Sequence, residues 1–165
     1  MVLAVLAKKI EAPAERVWAL VNWKGCAELM PIPGQMEDVT FEGEGVGARR
    51  IFHLDKVRLG GGAVIEELVF MDEASRYYEY RLADNGPLPW TDYRGKILVT
   101  PCGPDACAIK FEADLTPLDI SDEECRHTFI THALMDVQRL NESLGHFVDC
   151  RPMAEELRSA SACFT

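Results

Sequence analysis

The stretch VIEELVF, residues 64 to 70, sets two adjacent carboxylates inside a run of strand-forming residues. A two-residue period puts Val64, Glu66, Leu68 and Phe70 on one face and Ile65, Glu67, Val69 and Met71 on the other, so the two glutamates point opposite ways. Whichever faces an apolar interior gains proton affinity and is fitted to act as acid, base or hydrogen-bond anchor, whereas the other is an ordinary strand-surface carboxylate. Arg49 and Arg50 are sorted by the same alternation. One guanidinium points inward, where it can hold a ligand carboxylate or phenolate, or simply pair across strands as Arg50 with Glu66. His53, near the end of that strand, is a further group able to move protons. Tyr78 and Tyr80 share one face of a later strand, and Tyr93 opens another. A tyrosine combines an apolar wall with a donor at its tip, which suits an oxygenated aromatic or isoprenoid guest, although most buried tyrosines are structural.

Other chemistry is absent at the level of motifs. His132 and Asp136 stand one helical turn apart, but no third ligand accompanies them, and the pair reads as a solvated helix flank at the edge of an apolar stripe, not a metal site. GEGVG, residues 43 to 47, lacks the spacing and the following helix of a dinucleotide loop and reads as a hairpin turn. There is no G-x-S-x-G elbow and no distinctive Cys and His arrangement. Covalent catalysis, nucleotide binding, metals and cofactors are therefore not expected. The six cysteines (Cys26, Cys102, Cys107, Cys125, Cys150, Cys163) are scattered and read as reduced thiols of a cytoplasmic protein.

The elements that must position these groups can be read in order. Residues 2 to 10 are apolar and β-compatible, after which APAERVWALV changes to a helical period with Val17, Trp18, Leu20 and Val21 as its stripe. NWKGCAELM carries a second short helix, ended by Pro31, Pro33 and Gly34. Six strands follow, with turns at Gly43 to Gly47, Gly60 to Gly62, Asp72 to Ser75 and PCGPD. After Pro117 the pattern is helical for almost thirty residues, with Ile130, Ala133, Leu134, Val137, Leu140, Leu144 and Phe147 as its apolar face. Asp119, Ser121 and Asp122 are candidate caps, and Glu123 and Glu124 suit the positive end of the helix dipole. One long helix covers only one face of a seven-stranded sheet, so the sheet must curve around it, and a cavity can open where the loops spread apart.

Composition narrows the partners. The 165 residues carry a formal net charge of −10, which repels a phosphate backbone and an anionic bilayer alike. Neither nucleic acid nor an integral membrane segment is expected: no apolar run approaches the roughly 20 residues a spanning helix needs, and the apolar start precedes its lysines, unlike a secretory signal. Residues 1–150 are read as one domain and 151–165 as a helical or frayed extension.

The segments APAERVWALV, GVGARRIFHL, IEELVFMDEASRYYEYRL, GPLPWTDYRGKILVTPCGPDACAIKFEADL and the long helix, in this order, resemble the START-like or SRPBCC superfamily, in particular its polyketide cyclase/dehydrase branch. The resemblance covers roughly residues 3 to 148. It implies an α+β helix-grip fold: a curved antiparallel sheet of about seven strands around a long C-terminal helix, two short helices after strand 1, and a deep apolar cavity. It places the Glu66 face inward and matches Tyr93 to a ligand-contacting tyrosine of plant hormone receptors. It also makes two loops the cavity rim, Arg58 to Ala63 with Gly60, Gly61 and Gly62, and Asn85 to Trp90 with Pro87, Leu88 and Pro89. Trp90 is then either a lid over the ligand or a plug of core. The implied function is binding or carriage of a small hydrophobic lipid, isoprenoid or aromatic polyketide-like ligand, held by Arg50, Glu66, Leu68, Tyr78, Tyr80, Trp90, Tyr93 and Val137. The alternative is a polyketide cyclase or dehydratase in which Glu66, His53 or Tyr93 moves protons. A fold shared by so many activities does not choose between them, and the oligomeric state, a homodimer included, stays open.

Overall fold

The computed structural model describes residues 1–146. Strand β1 (Val2–Ile10) leads into helix α1 (Ala14–Val21) and a 3-10 turn (Gly25–Glu28). Six strands follow, β2 (Met36–Glu42), β3 (Arg49–Leu54), β4 (Ala63–Asp72), β5 (Tyr77–Asp84), β6 (Trp90–Pro101) and β7 (Cys107–Pro117), and then helix α2 (Asp122–Ser143). The strands form one antiparallel sheet in the order β1-β7-β6-β5-β4-β3-β2, so each hairpin neighbour pairs in sequence and the first strand closes against the last. This is the helix-grip architecture.

The sequence periods produce most of these elements directly. In β1 the burial alternates residue by residue, with Val2, Ala4, Leu6, Lys8 and Ile10 turned inward. Pro13 stands just outside α1, and its carbonyl accepts hydrogen bonds from the amides of Arg16 and Val17; Ala14, Val17, Trp18 and Val21 form the buried face. Ser121 starts α2 through a capping box: its hydroxyl accepts from the Glu124 amide at 3.2 Å, and the Glu124 carboxylate accepts from the Ser121 amide at 2.9 Å.

Four expectations need correction. The second short helix is a single 3-10 turn with no buried residue, since Gly25 and the following prolines leave no room for an apolar stripe. The long helix spans 22 residues and ends at Ser143; Phe147, the cysteines at 150 and 163, and the extension 151–165 lie outside the described residues. Its buried face runs through Cys125, Phe129, Ala133, Val137 and Leu140, whereas Ile130 and Leu134 are half-buried, so the stripe is rotated from the one read in the sequence. Finally, Phe70 does not share the face of Val64, Glu66 and Leu68. A bulge between Leu68 and Phe70 adds one residue against β5 and turns Phe70 outward, 47% exposed, while Met71 packs against the core.

Candidate functional site

The cavity follows from where α2 lies. It packs principally on β1 and β7, leaving the concave surface of β2 to β5 without a helix over it. The buried apolar residues consequently fall into two clusters. One joins α1, α2 and β1, β5, β6 and β7; the other is Val39, Phe52, Leu54 and Val64 on β2 to β4. Between them lies a cavity of about 330 Å³, whose mouth is bordered by Leu59 of the β3–β4 loop and Pro87 and Leu88 of the β5–β6 loop. That volume lies within the range of small-molecule sites. The two loops are packed together: Gly86 has φ of +51°, and a side chain there would come within 2.6 Å of the Ala63 carbonyl oxygen.

At one wall Arg50 of β3 and Glu66 of β4, direct cross-strand partners, form a buried ion pair through Arg50 Nε and Glu66 Oε2. Arg50 Nη1 also donates to the Tyr78 hydroxyl at 3.2 Å, to the Trp23 carbonyl at 3.5 Å and to Cys26 Sγ at 3.3 Å. The guanidinium carbon lies 4.3 Å from the Trp23 ring centroid, 5.0 Å from Tyr80 and 5.4 Å from Tyr78 and Phe52, an aromatic cage for a cation. Burial raises the Glu66 carboxyl above its ordinary value, and Arg50 pulls it back down; Arg50 itself stays charged, held by Glu66 against the cost of its own desolvation.

The adjoining wall is aromatic. Tyr80 of β5 and Tyr93 of β6 bring their hydroxyls to 2.7 Å, and Trp90 stacks on Tyr93 with ring centroids 6.2 Å apart. Strict alternation would put Trp90 and Tyr93, three residues apart, on opposite faces. Both point inward because the ladder shifts between Thr91 and Arg94, with Asp92 in the left-handed region at φ of +46°. Gly95 stands opposite Tyr80, and a Cβ there would overlap the Tyr80 ring, so the glycine makes room for the tyrosine. Burial raises the Tyr78, Tyr80 and Tyr93 phenols far beyond neutrality, so all three keep their protons. Trp90 is 2% exposed, and Asn85 Nδ2 donates to its carbonyl at 3.1 Å, so it is a fixed wall of the cavity instead of a swinging lid.

The third wall belongs to α2. Asp136, one turn beyond Ala133 and one before Leu140, is half-buried beside that face and lines the cavity. It is paired with Arg139, yet 39% of its side chain is accessible because it borders the void. Burial raises its carboxyl to about 6, with Arg139 opposing and Glu66 adding to the rise. His132 lines the same wall, its ring 6.0 Å from that of Trp90, and burial and Arg139 both lower its proton affinity.

Of the residues proposed from the sequence, Arg50, Glu66, Tyr78, Tyr80, Trp90, Tyr93, Pro87 and Leu88 are brought together on this lining. Arg50, not Arg49, is the inward arginine. His53 is not among them: it occupies the outer face of β3, where its ring bonds the Thr40 hydroxyl at 2.8 Å, because it lies an odd three positions from Arg50. Leu68 and Val137 are buried in the main core and do not line the cavity. Gly60, Gly61, Gly62 and Pro89 shape the rim loops from behind, with Leu59 and Leu88 as the lining residues, and the Asp55 carbonyl accepts from both Leu59 and Gly61 amides. Asp136 is the principal correction, since it lines the cavity, whereas His132 keeps the exposed flank of α2 read from the sequence and only its ring reaches the lining. The signal was present: Asp136 falls at i+3 from Ala133 and i−4 from Leu140, within the apolar register. Among the described residues no group of three His, Cys, Asp or Glu side chains is placed to hold a metal ion. Nor is any helix among them long and apolar enough to cross a membrane.

Comparison with solved structures agrees on the fold. A Thermobifida fusca protein superposes with a TM-score of 0.74 at 23% identity over 92% of this chain and 100% of its own. The Bacillus cereus protein XoxI gives 0.71 at 22% identity, over 89% and 100%. Norcoclaurine synthase of Thalictrum flavum, in complex with dopamine and hydroxybenzaldehyde, gives 0.63 at 23% identity over 90% of each chain. These identities speak for the fold alone. No curated protein matches the sequence significantly. The family model described as polyketide cyclase / dehydrase and lipid transport, however, matches residues 1–144, every element from β1 through α2, and the chain therefore belongs to that family.

Proposed function

We propose that the protein binds a small hydrophobic ligand in the cavity between its two core clusters, as a carrier or receptor. The observation that carries this reading is the void itself: about 330 Å³ with an apolar and aromatic lining and a few convergent polar groups. Leaving such a volume empty forfeits the packing that β2 to β4 would otherwise gain, and a ligand restores it. The ligand passes Leu59, Pro87 and Leu88, lies against Trp90, Tyr80 and Tyr93, and is oriented by Arg50 and Glu66. Family membership agrees with a guest of this kind, and norcoclaurine synthase, with the same fold, was crystallised with two small aromatic molecules. Native mass spectrometry of the freshly purified protein, followed by thermal shift against a lipid and aromatic library, tests it. A copurifying organic molecule or a raised melting temperature is expected; the absence of both would remove the support for carriage.

The second reading, a cyclase or dehydratase, is favoured by Asp136, whose carboxyl burial raises to about 6 on the wall of the cavity that Glu66 also lines. A group poised there can give and take a proton at working pH. Asp136→Asn separates the readings once a ligand is known: an enzyme loses turnover and keeps affinity, while a carrier changes affinity alone.

A further inference from the structure

The edge of Arg50 that could seat a carboxylate through two parallel bonds is only half used. Nε and Nη2 form that edge, and Glu66 takes Nε with Oε2; among the described residues neither Arg50 Nη2 nor Glu66 Oε1 makes a hydrogen bond. Both side chains line the cavity and retain 5% and 11% exposure there. The guanidinium cannot easily turn to complete the fork, because Nη1 is committed to Tyr78, Trp23 and Cys26 and four rings enclose the cation. The pair therefore brings to the cavity lining a donor and an acceptor that no described residue uses, on two side chains whose net charge is zero. The other ion pair on the lining, Asp136 with Arg139, is compensated in the same way.

We propose that the polar end of the ligand is a neutral group carrying an acceptor and a donor together, a primary carboxamide or its equivalent, which accepts from Arg50 Nη2 and donates to Glu66 Oε1. A carboxylate would satisfy Nη2 but bring a second negative charge against Oε1 in a poorly solvated site. An ammonium would satisfy Oε1 but repel the caged guanidinium. A neutral acceptor–donor group satisfies both atoms at no charge cost, and the apolar remainder of the ligand then lies along Tyr80, Tyr93 and Trp90 towards the mouth.

This rests on the cavity being a ligand site, and the experiment separates the two claims. Calorimetric titration at about pH 8 compares 2-naphthamide, 2-acetonaphthone, which replaces the amide nitrogen by a methyl group, and 2-naphthoate. The amide is expected to bind about tenfold tighter than the ketone, the worth of one hydrogen bond to a charged group, with the carboxylate weakest. Equal binding of amide and ketone, or tightest binding of the carboxylate, overturns the acceptor–donor assignment while leaving the ligand cavity intact. Failure of all three to bind overturns both. Glu66→Gln supplies a second measurement: with the negative charge gone and Arg50 unopposed, naphthoate should overtake naphthamide, and an unchanged order sinks the assignment.

Discussion

Strands β3 and β4 carry two Arg–Glu pairs on neighbouring rungs, Arg50 with Glu66 and Arg49 with Glu67, and the pleat turns one inward and the other outward. The residue types and the strands are shared and both pairs are direct cross-strand partners, so the surroundings make the difference. Inside, burial raises the Glu66 carboxyl, and the aromatic cage fixes Arg50. Outside, the Glu67 carboxyl is lowered, first by the hydrogen bond from Arg81 at 2.7 Å and then by Arg49 at 3.5 Å, with water screening all three. The same chemistry is thus shifted in opposite directions at two adjacent residues. What the comparison teaches is that an ion pair's worth is set by what happens when one partner is removed: the inner one strands a charge in a low dielectric, the outer one hands it to solvent.

The sharpest way to break that contrast is Arg50→Leu. It leaves Glu66 buried without its cation, and urea denaturation is expected to show a loss of about 3–5 kcal/mol, a large share of a domain's stability. The double variant Arg50→Leu with Glu66→Leu should recover most of it, because two apolar side chains of suitable volume remove the stranded charge. A loss in Arg50→Leu below about 1 kcal/mol, the range of exposed pairs, would show that the cavity hydrates the inner pair and that the two rungs are equivalent.

A smaller effect concerns the opposite wall. Asp136 has a carboxyl raised to about 6 from an ordinary value of 3.8 by burial, with Arg139, Glu66 and Arg50 as its charged surroundings. Between those values the folded state holds a proton that the unfolded chain has released. The stability this contributes is complete below about pH 4 and is lost as pH rises through about 6. The stability of the wild type relative to Asp136→Asn should therefore fall from pH 4 to pH 7, as read from paired melting curves. A flat difference across that window would mean that water in the cavity solvates Asp136 and that the α2 wall does not belong to the buried side of the comparison.

Much of this contrast was legible beforehand, and the failures have local causes. Alternation alone sends Glu66 and Glu67 to opposite faces and divides Arg49 from Arg50, and the elements from β1 to α2 follow from period changes and turn residues. Alternation does not reveal which face is concave, since that depends on where α2 lies after the whole sheet has formed. It also fails wherever the count is broken. The bulge after Leu68 turns Phe70 outward, and the left-handed Asp92 brings Trp90 and Tyr93 to the same side; neither carries a glycine to announce it. On α2 an acid inside the apolar register, Asp136, resembles a flank until a cavity is known to face it. The cavity is a property of what does not touch, and a sequence records only what is there.

The smallest expected effect completes the comparison from the outside. Glu67→Gln removes the carboxylate that Arg49 and Arg81 share, but the pair lies on the outer face with both arginines exposed and Glu67 half-buried between them, so its urea midpoint in about 0.5 M salt should match that of the wild type within the error of the curve. At low salt and neutral pH a slight loss is expected. Its sign follows from a folded-state carboxyl value below the ordinary 4.5: the contribution exists above that value and vanishes as pH falls through the lowered one. This is the reverse of Asp136, whose contribution disappears as pH rises. If Glu67→Gln proved as damaging as Arg50→Leu, the outer rung would be structurally essential despite its exposure, and burial could no longer be what distinguishes the two faces of β3 and β4.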